Sequence, residues 1–304
     1  MPFKILTFDG GGIGGLFTAV LLERIAAQFP GLLASVDLIA GTSTGGIIAL
    51  GLAHNRSPAQ LADLYRTHAK KIFDDSIWDN IRDFGNATGA DHSNKNLKKV
   101  LTTEFGTTPL SGLSKRVLIP TFDLDFSPEQ GRRTWKPKFF HNVPGPDSDG
   151  AELVVDVAMR TSAAPTYFPS YQGYIDGGVV ANNPSMAALA AALDPRSGNQ
   201  NLSNIVLLSF STGCEDRYIK GDSHNWGWGQ WAKPLVNIMI NGVMGVADFQ
   251  CKQILDHRYH RVDHVMDRTI NLNDARDATL HYLTTEAHTV NLAPTLAWLQ
   301  THWL

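Results

Sequence analysis

Three short stretches hold residues whose types and spacing suit nucleophilic chemistry. Gly41-Thr42-Ser43-Thr44-Gly45 is a G-x-S-x-G segment between an apolar run, Val36 to Ala40, and an Ala/Ile/Leu-rich run, Thr44 to His54. A serine on such a strand-to-helix turn stands with its hydroxyl pushed out at the carboxyl end of the strand, and small residues two positions away on either side let strand and helix approach closely. The helix that starts behind it turns free N–H groups and a positive dipole end toward any negative charge that develops. A glycine-rich turn with a capping serine is the plainer use of the same residues.

The second stretch is Asp9-Gly10-Gly11-Gly12-Ile13-Gly14-Gly15, in which Gly10, Gly12 and Gly15 also spell the G-x-G-x-x-G dinucleotide fingerprint. That fingerprint needs an acidic residue near the end of the second strand to hold ribose hydroxyls, and here that strand ends Ile39-Ala40-Gly41. Asp9 would also set a negative charge beside the pyrophosphate. Bare backbone N–H groups at Gly10, Gly11 and Gly12 serve better as an oxyanion hole, whose donors are fixed before the charge appears.

A serine hydroxyl needs a base, and Asp176 is the candidate. Tyr174-Ile175-Asp176-Gly177-Gly178 ends a short strand in a glycine turn, at the sheet edge where active sites gather. An aspartate that merely closes a β-turn would look the same. A Ser, acid, His order could be completed by His224, His257, His260, His264, His281, His288 or His302, none of which sits in a distinctive motif. His257, His260 and His264 would share one helical face, but Arg258 to Val262 reads as a strand, which argues against a metal site.

The elements that must position these residues alternate. Ile5 to Phe8 reads as a buried strand followed by a helix from Leu16 to Phe29, and Val36 to Ala40 repeats the pattern with a helix from Thr44 to His54. Two strand-turn-helix units in succession imply a parallel sheet with right-handed crossovers. Ser57-Pro58 opens a further helix to about Phe73, residues 74 to 94 read as a surface loop, and a helix follows from about Asn96 to Phe105. Strands are expected at Lys115 to Phe122, Thr134 to His141, Gln172 to Ile175 and Ile205 to Phe210, with a turn region from Asn142 to Gly150. Helices are expected at Leu153 to Thr161, Pro184 to Leu193 and Pro234 to His257, and two more in the last 25 residues. No repeat, low-complexity tract or linker divides the chain, so residues 1–304 read as one domain.

Composition narrows the class. At 304 residues, 43% hydrophobic and 18% charged, the chain is globular and long enough for a large core. A net charge of −3 lacks the basic surplus that nucleic-acid binding requires, so no nucleic-acid partner is expected. Cys214 and Cys251 cannot build a disulfide framework or a four-thiolate zinc site, though one bridge could form. No signal peptide opens the sequence and no apolar window reaches the ~20 residues of a membrane span, which together point to a cytoplasmic protein.

With these pieces in order, the sequence resembles the patatin-like phospholipase family. The resemblance is carried by Asp-Gly-Gly-Gly at 9–12, G-x-S-x-G at 41–45, Asp-Gly-Gly at 176–178, the run from Asp156 to Pro169, and Asn182-Asn183-Pro184. It covers about residues 3 to 195 strongly and the rest loosely. It implies a three-layer α/β/α sandwich with a mostly parallel central sheet, and a serine/aspartate dyad without histidine. Ser43 would be the nucleophile, Asp176 its base, and Gly10, Gly11 and Gly12 the oxyanion hole. The family usually places Arg or Lys two residues after the third glycine, where this chain has Gly14.

The implied activity is a lipid acyl hydrolase that cleaves phospholipids, lysophospholipids or related esters through an acyl-enzyme, with no metal or cofactor, in transient contact with a membrane surface. An α/β-hydrolase-type esterase with a Ser-Asp-His triad is an alternative, disfavoured because its nucleophile normally follows several strands rather than two. A non-catalytic lipid-binding module is another, and regulated membrane degradation, in which a small signal or partner switches the enzyme on, a third; activity that rises with an added nucleotide second messenger would support it, although the sequence gives no sensor domain. The segment Trp226-Gly227-Trp228-Gly229-Gln230-Trp231, with Ile238, Met239, Ile240, Val243 and Met244 after it, reads either as ordinary buried packing or as an interfacial lip and the wall of an acyl channel.

Overall fold

The computed structural model describes residues 2–72, 94–129, 131–215, 218, 219, 221 and 225–304. The segment read as a surface loop, up to residue 93, lies outside them, as does His224. A seven-stranded sheet forms the middle layer, in the order β4-β3-β2-β1-β6-β8, with β5 paired to β3 off that path. Its strands are β1 (Phe3–Phe8), β2 (Leu38–Gly41), β3 (Arg116–Glu129), β4 (Arg132–His141), β5 (Tyr174–Asp176), β6 (Ile205–Phe210) and β8 (Tyr259–Val262). The four pairings among β3, β2, β1, β6 and β8 are parallel, and β4 and β5 each run antiparallel to β3. A separate two-stranded ribbon joins β7 (Cys214–Glu215) to β9 (Val265–Met266).

Continuous apolar runs make the central strands, because both sheet faces are covered. Leu6 and Phe8 of β1 and Val206, Leu208 and Phe210 of β6 enter one core, shared with α1 (Gly15–Gln28), α2 (Thr44–Ala53) and α3 (Pro58–Ile72). Phe3 and Ile5 of β1 and Ile205 and Leu207 of β6 enter a smaller core on the opposite face, with Ala188, Leu189 and Ala192 of α7 (Ser185–Leu193) and Cys251 and Leu255 of α8 (Trp228–Leu255). The period of two along each strand therefore sorts its residues between two helical layers, and the expected three-layer sandwich is what forms. All ten residues of α2 are buried, which accounts for its lack of a polar face. The remaining helices are α4 (Asn94–Phe105), α5 (Val154–Thr161), the single turn α6 (Gly178–Ala181), α9 (Asp277–Thr289) and α10 (Ala293–Trp298).

Most expected elements appear within a few residues of their sequence bounds. Two differ more. The strands placed at Lys115 to Phe122 and Thr134 to His141 continue to Glu129 and back from Arg132 as a hairpin whose outer part is largely exposed, so no buried apolar face marks it in the sequence. The helix expected from Pro234 begins at Trp228, so part of the tryptophan-rich segment is its first turn. Cys214 and Cys251 are both free thiols.

Candidate active site

The sheet register brings Ser43 and Asp176 together. β2 lies along β3 with Leu38, Ile39 and Ala40 opposite Arg116, Val117 and Leu118. β5 lies antiparallel to β3 with Asp176, Ile175 and Tyr174 opposite Thr121, Phe122 and Asp123. The carboxyl ends of β2 and β5 thus point toward each other along one strand, separated by about the width of a turn. Ser43 follows the end of β2 and Asp176 ends β5, so the two side chains meet over that gap.

Ser43 has φ 54° and ψ −124°, a left-handed backbone that a non-glycine residue adopts only when its surroundings impose it. Close packing imposes it here. A Cβ at Gly41 would overlap the carbonyl of Gly45, and one at Gly45 would overlap those of Phe8 and Asp9, so helix α2 presses against β1 and β2 as only glycine permits. The Ser43 N–H donates to Thr161 Oγ1 at 3.0 Å, and the Thr161 hydroxyl donates onward to the Pro120 carbonyl of β3 at 2.7 Å. Thr42 is tied as well, its hydroxyl donating to the Ala181 carbonyl at 2.6 Å. The elbow is therefore held from three sides.

Asp176 is buried, and Oδ1 accepts the Gly178 N–H at 2.7 Å while its own N–H donates to the Ala163 carbonyl at 3.0 Å. Burial pushes its pKa up to about 6, against the opposing pull of a hydrogen bond from the Ser43 side chain and the one from Gly178. β5 is steadied from behind by Arg160, whose guanidinium lies over the rings of Phe140 and Tyr174 and bonds Gln172 Oε1 at 2.9 Å and Glu152 Oε2 at 2.8 Å.

The glycine loop after β1 closes the site, and a Cβ at Gly10 would lie 3.2 Å from that of Ser43. The Gly10 N–H donates to the Asn182 carbonyl at 3.0 Å, and the Gly10 carbonyl accepts from Asn182 Nδ2 and Thr212 Oγ1, each at 3.2 Å. Farther along, Gly14 N–H donates to the Gly11 carbonyl at 3.0 Å and Ile13 N–H to the Leu272 carbonyl at 2.9 Å. Among the described residues no acceptor meets the N–H groups of Gly11 or Gly12. Gly12 has φ +54°, and a Cβ there would overlap the Leu272 carbonyl. Gly14 has no room for the basic side chain usual at its place, because a Cβ would sit 2.9 Å from the Thr212 carbonyl oxygen.

Ser43, Asp176 and the three glycines border one cavity of about 950 Å³. Its walls are apolar, including Ile47, Leu97, Leu101, Phe168, Ile240 and Met244. Its size suits a ligand of drug or lipid dimensions. α8 takes part on both sides of its surface: Met239, Ile240 and Met244 line the cavity, whereas Val246 and Phe249, which do not, are more than half exposed. A second cavity, of about 1020 Å³, opens between α7, α8 and β4 and holds neither Ser43 nor Asp176.

Among the described residues no histidine lines the Ser43 cavity. His264 bonds Glu286 at 2.8 Å, His260 bonds Thr295 at 2.9 Å, and His257 lies beside Asp256. Those three do not converge, and among the described residues no group of three His, Cys, Asp or Glu is arranged to hold a metal ion. No described helix is long and apolar enough to cross a membrane.

Sequence reasoning missed the roles of Asn182 and Thr161. Asn182 and Thr161 fall within stretches singled out for their pattern, but their tasks are hydrogen bonds to Gly10 and Ser43 across more than 100 residues, which no local spacing encodes.

A family model described as "Patatin-like phospholipase" matches residues 6–189. The chain is similar over almost its whole length to Protein teg of Priestia megaterium, at 29% identity covering 99% of each chain. It is 35% identical to the putative sporulation hydrolase CotR of Bacillus subtilis over 74% of this chain and 67% of the relative. A cGAMP-activated phospholipase of Pseudomonas aeruginosa is 32% identical over 86% of this chain and 78% of that one. The three motifs that meet around the cavity all lie inside the matched region, and on that match this chain belongs to the patatin-like phospholipase family.

Proposed function

We propose that this protein is a lipid acyl hydrolase of phospholipase type, working through a Ser43–Asp176 dyad and an acyl-enzyme intermediate. The observation that carries the reading is the strained Ser43 elbow, hydrogen-bonded to a buried carboxylate in the cavity bordered by Gly11 and Gly12, whose N–H groups meet no acceptor among the described residues. Ser43 Oγ attacks the ester carbonyl carbon as its proton passes to Asp176, and the carbonyl oxygen becomes an oxyanion held by the Gly11 and Gly12 amides. Gly10 supports these donors through its bonds to Asn182 rather than donating itself. The intermediate collapses, and the leaving alcohol takes the proton from Asp176. Water then attacks the acyl-enzyme, giving its proton to Asp176, and the second intermediate collapses as Ser43 Oγ takes that proton back and the fatty acid leaves.

A carboxylate at the usual pKa is a poor partner for a hydroxyl, and burial brings Asp176 nearer to the working range while leaving it ionised at neutral pH. The apolar cavity is read as the acyl site, and the exposed residues Val246 and Phe249 of α8 as a surface that rests on lipid while the cavity draws in a chain. We read residues 1–304 as one catalytic unit, since β6, β8 and α8, beyond the matched region, complete the same sheet and cavity. The test is a comparison of wild-type protein, Ser43→Ala and Asp176→Asn on phospholipid vesicles, with products resolved by mass spectrometry and Ser43 probed with a fluorophosphonate. Release of fatty acid by wild type alone, with adduct on Ser43, supports the reading. Equal release by Asp176→Asn overturns the dyad. A second reading, activation by a cyclic dinucleotide, is favoured by the name of the Pseudomonas aeruginosa relative. It is tested by adding cGAMP to the same assay.

A further inference from the structure

The glycine loop hangs from a buried ion pair that none of these steps employs. Asp9, between β1 and Gly10, is fully buried, and its Oδ2 accepts from Arg261 Nη2 of β8 at 2.5 Å. Its Oδ1 has no hydrogen-bond partner among the described residues. Arg261 reaches across an intervening strand: Thr7 of β1 is opposite Ser209 of β6, and Ser209 is opposite Arg261. The other guanidinium nitrogens are engaged too, Nη1 donating to Ser209 Oγ at 3.0 Å and Nε lying 3.5 Å from Asp263. Arg261 borders the Ser43 cavity, and each of its three nitrogens has a partner inside the protein.

A carboxylate buried two residues before amides that must receive an oxyanion opposes that charge, since in a low-dielectric interior two like charges a few ångströms apart repel strongly. It needs a counter-charge of fixed direction. The planar fork of an arginine supplies both, neutralising the carboxylate and setting the orientation of the side chain it binds. The rest of the loop, three consecutive glycines, has little conformational preference of its own.

Resting on the Ser43–Asp176 reading above, we infer that Arg261, through its buried pair with Asp9, is a positioning residue that aims the Gly11 and Gly12 amides and cancels the negative charge behind them. It acts on the transition state and not on ground-state binding, so its loss lowers kcat and leaves KM nearly unchanged.

The experiment uses the full chain, a soluble p-nitrophenyl ester for kcat and KM, and the rate of fluorophosphonate labelling at Ser43. Arg261→Gln is expected to lower kcat and the labelling rate together by about 30-fold or more, with KM within about twofold of wild type. Asp9→Asn combined with Arg261→Gln, which removes both charges, is expected to recover at least about threefold over Arg261→Gln alone, because the unpaired carboxylate is the larger part of the damage. Wild-type kcat in Arg261→Gln, a change confined to KM, or a double variant no faster than Arg261→Gln overturns the inference. Should Arg261→Gln fail to fold, Arg261→Lys decides: with an unaltered melting temperature, a lowered kcat supports the inference and an unaltered kcat refutes it. Failure of the wild-type protein to label at Ser43 is a different result, which defeats the serine reading and takes this inference with it.

Discussion

Replacing Asp176 by Asn should stabilise the protein at neutral pH while it removes ester hydrolysis. The native state raises this carboxyl from 3.8 to about 6 by burying it, so folding above that pH holds a charge away from water. Between the two pKa values the native state binds more protons than the unfolded chain, and stability therefore falls as pH rises from about 4 to about 6 and stays level above. At ~1.4 kcal/mol per unit, a rise of about two units costs about 3 kcal/mol at pH 8 and only about 1 kcal/mol at pH 4.5. Asparagine carries no charge at either pH, keeps an oxygen for the Gly178 N–H and adds an N–H for Ser43 Oγ. At an unfolding entropy of ~2.1 cal/mol/K per residue, 3 kcal/mol corresponds to a rise in Tm of about 5 °C for a chain of this length. The assay is thermal unfolding of wild type and Asp176→Asn at pH 8 and pH 4.5 at one scan rate. A variant less stable than wild type at pH 8, or a gap that does not shrink at pH 4.5, would refute the account of Asp176 as a charge held in a buried, poorly solvated site.

The same pKa predicts that kcat/KM for a soluble ester loses about tenfold per pH unit below about 6, where Asp176 holds its proton and cannot accept one from Ser43; a flat profile down to pH 5 would exclude it as the base. Thr161→Val should cost about 1–3 kcal/mol of stability and lower kcat, because the Ser43 N–H and the Pro120 carbonyl both lose their partner in a buried site, as denaturant titration and ester kinetics would register. Gly12→Ala should abolish activity or folding, since φ +54° is strained for alanine and the Leu272 carbonyl occupies the space of its Cβ; wild-type activity in a folded Gly12→Ala protein would mean that the loop differs from this geometry. Val246→Asp combined with Phe249→Asp on α8 should weaken sedimentation with anionic vesicles by about tenfold or more while hydrolysis of a soluble ester stays within about twofold.

Much of this arrangement was legible before any coordinates. Apolar strands followed by glycine turns and helices announced a parallel sheet because both faces of such a sheet are buried, and the Gly41–Gly45 segment announced a tight strand-to-helix turn because only small residues permit the contact it makes. The exposed outer hairpin of β3 and β4 was not legible, since it is held by backbone pairing with little burial. Nor was the division of labour among the three glycines, which look alike in sequence. Gly10 spends its N–H on Asn182, whereas among the described residues no acceptor meets those of Gly11 and Gly12.

Sequence alone determined the chemical types and their local settings: a serine at an elbow, an aspartate at a strand end, a run of bare amides. Their backbone demands are short-range, and spacing of a few residues records them. Tertiary structure decided that they meet, through the register that sets β2 and β5 end to end along β3. It also decided that Asp176 is buried enough to be shifted and that a cation on β8 answers Asp9, 252 positions away. Burial and pairing across a sheet depend on which strands become neighbours, and a linear pattern carries that information only once the chain has closed on itself.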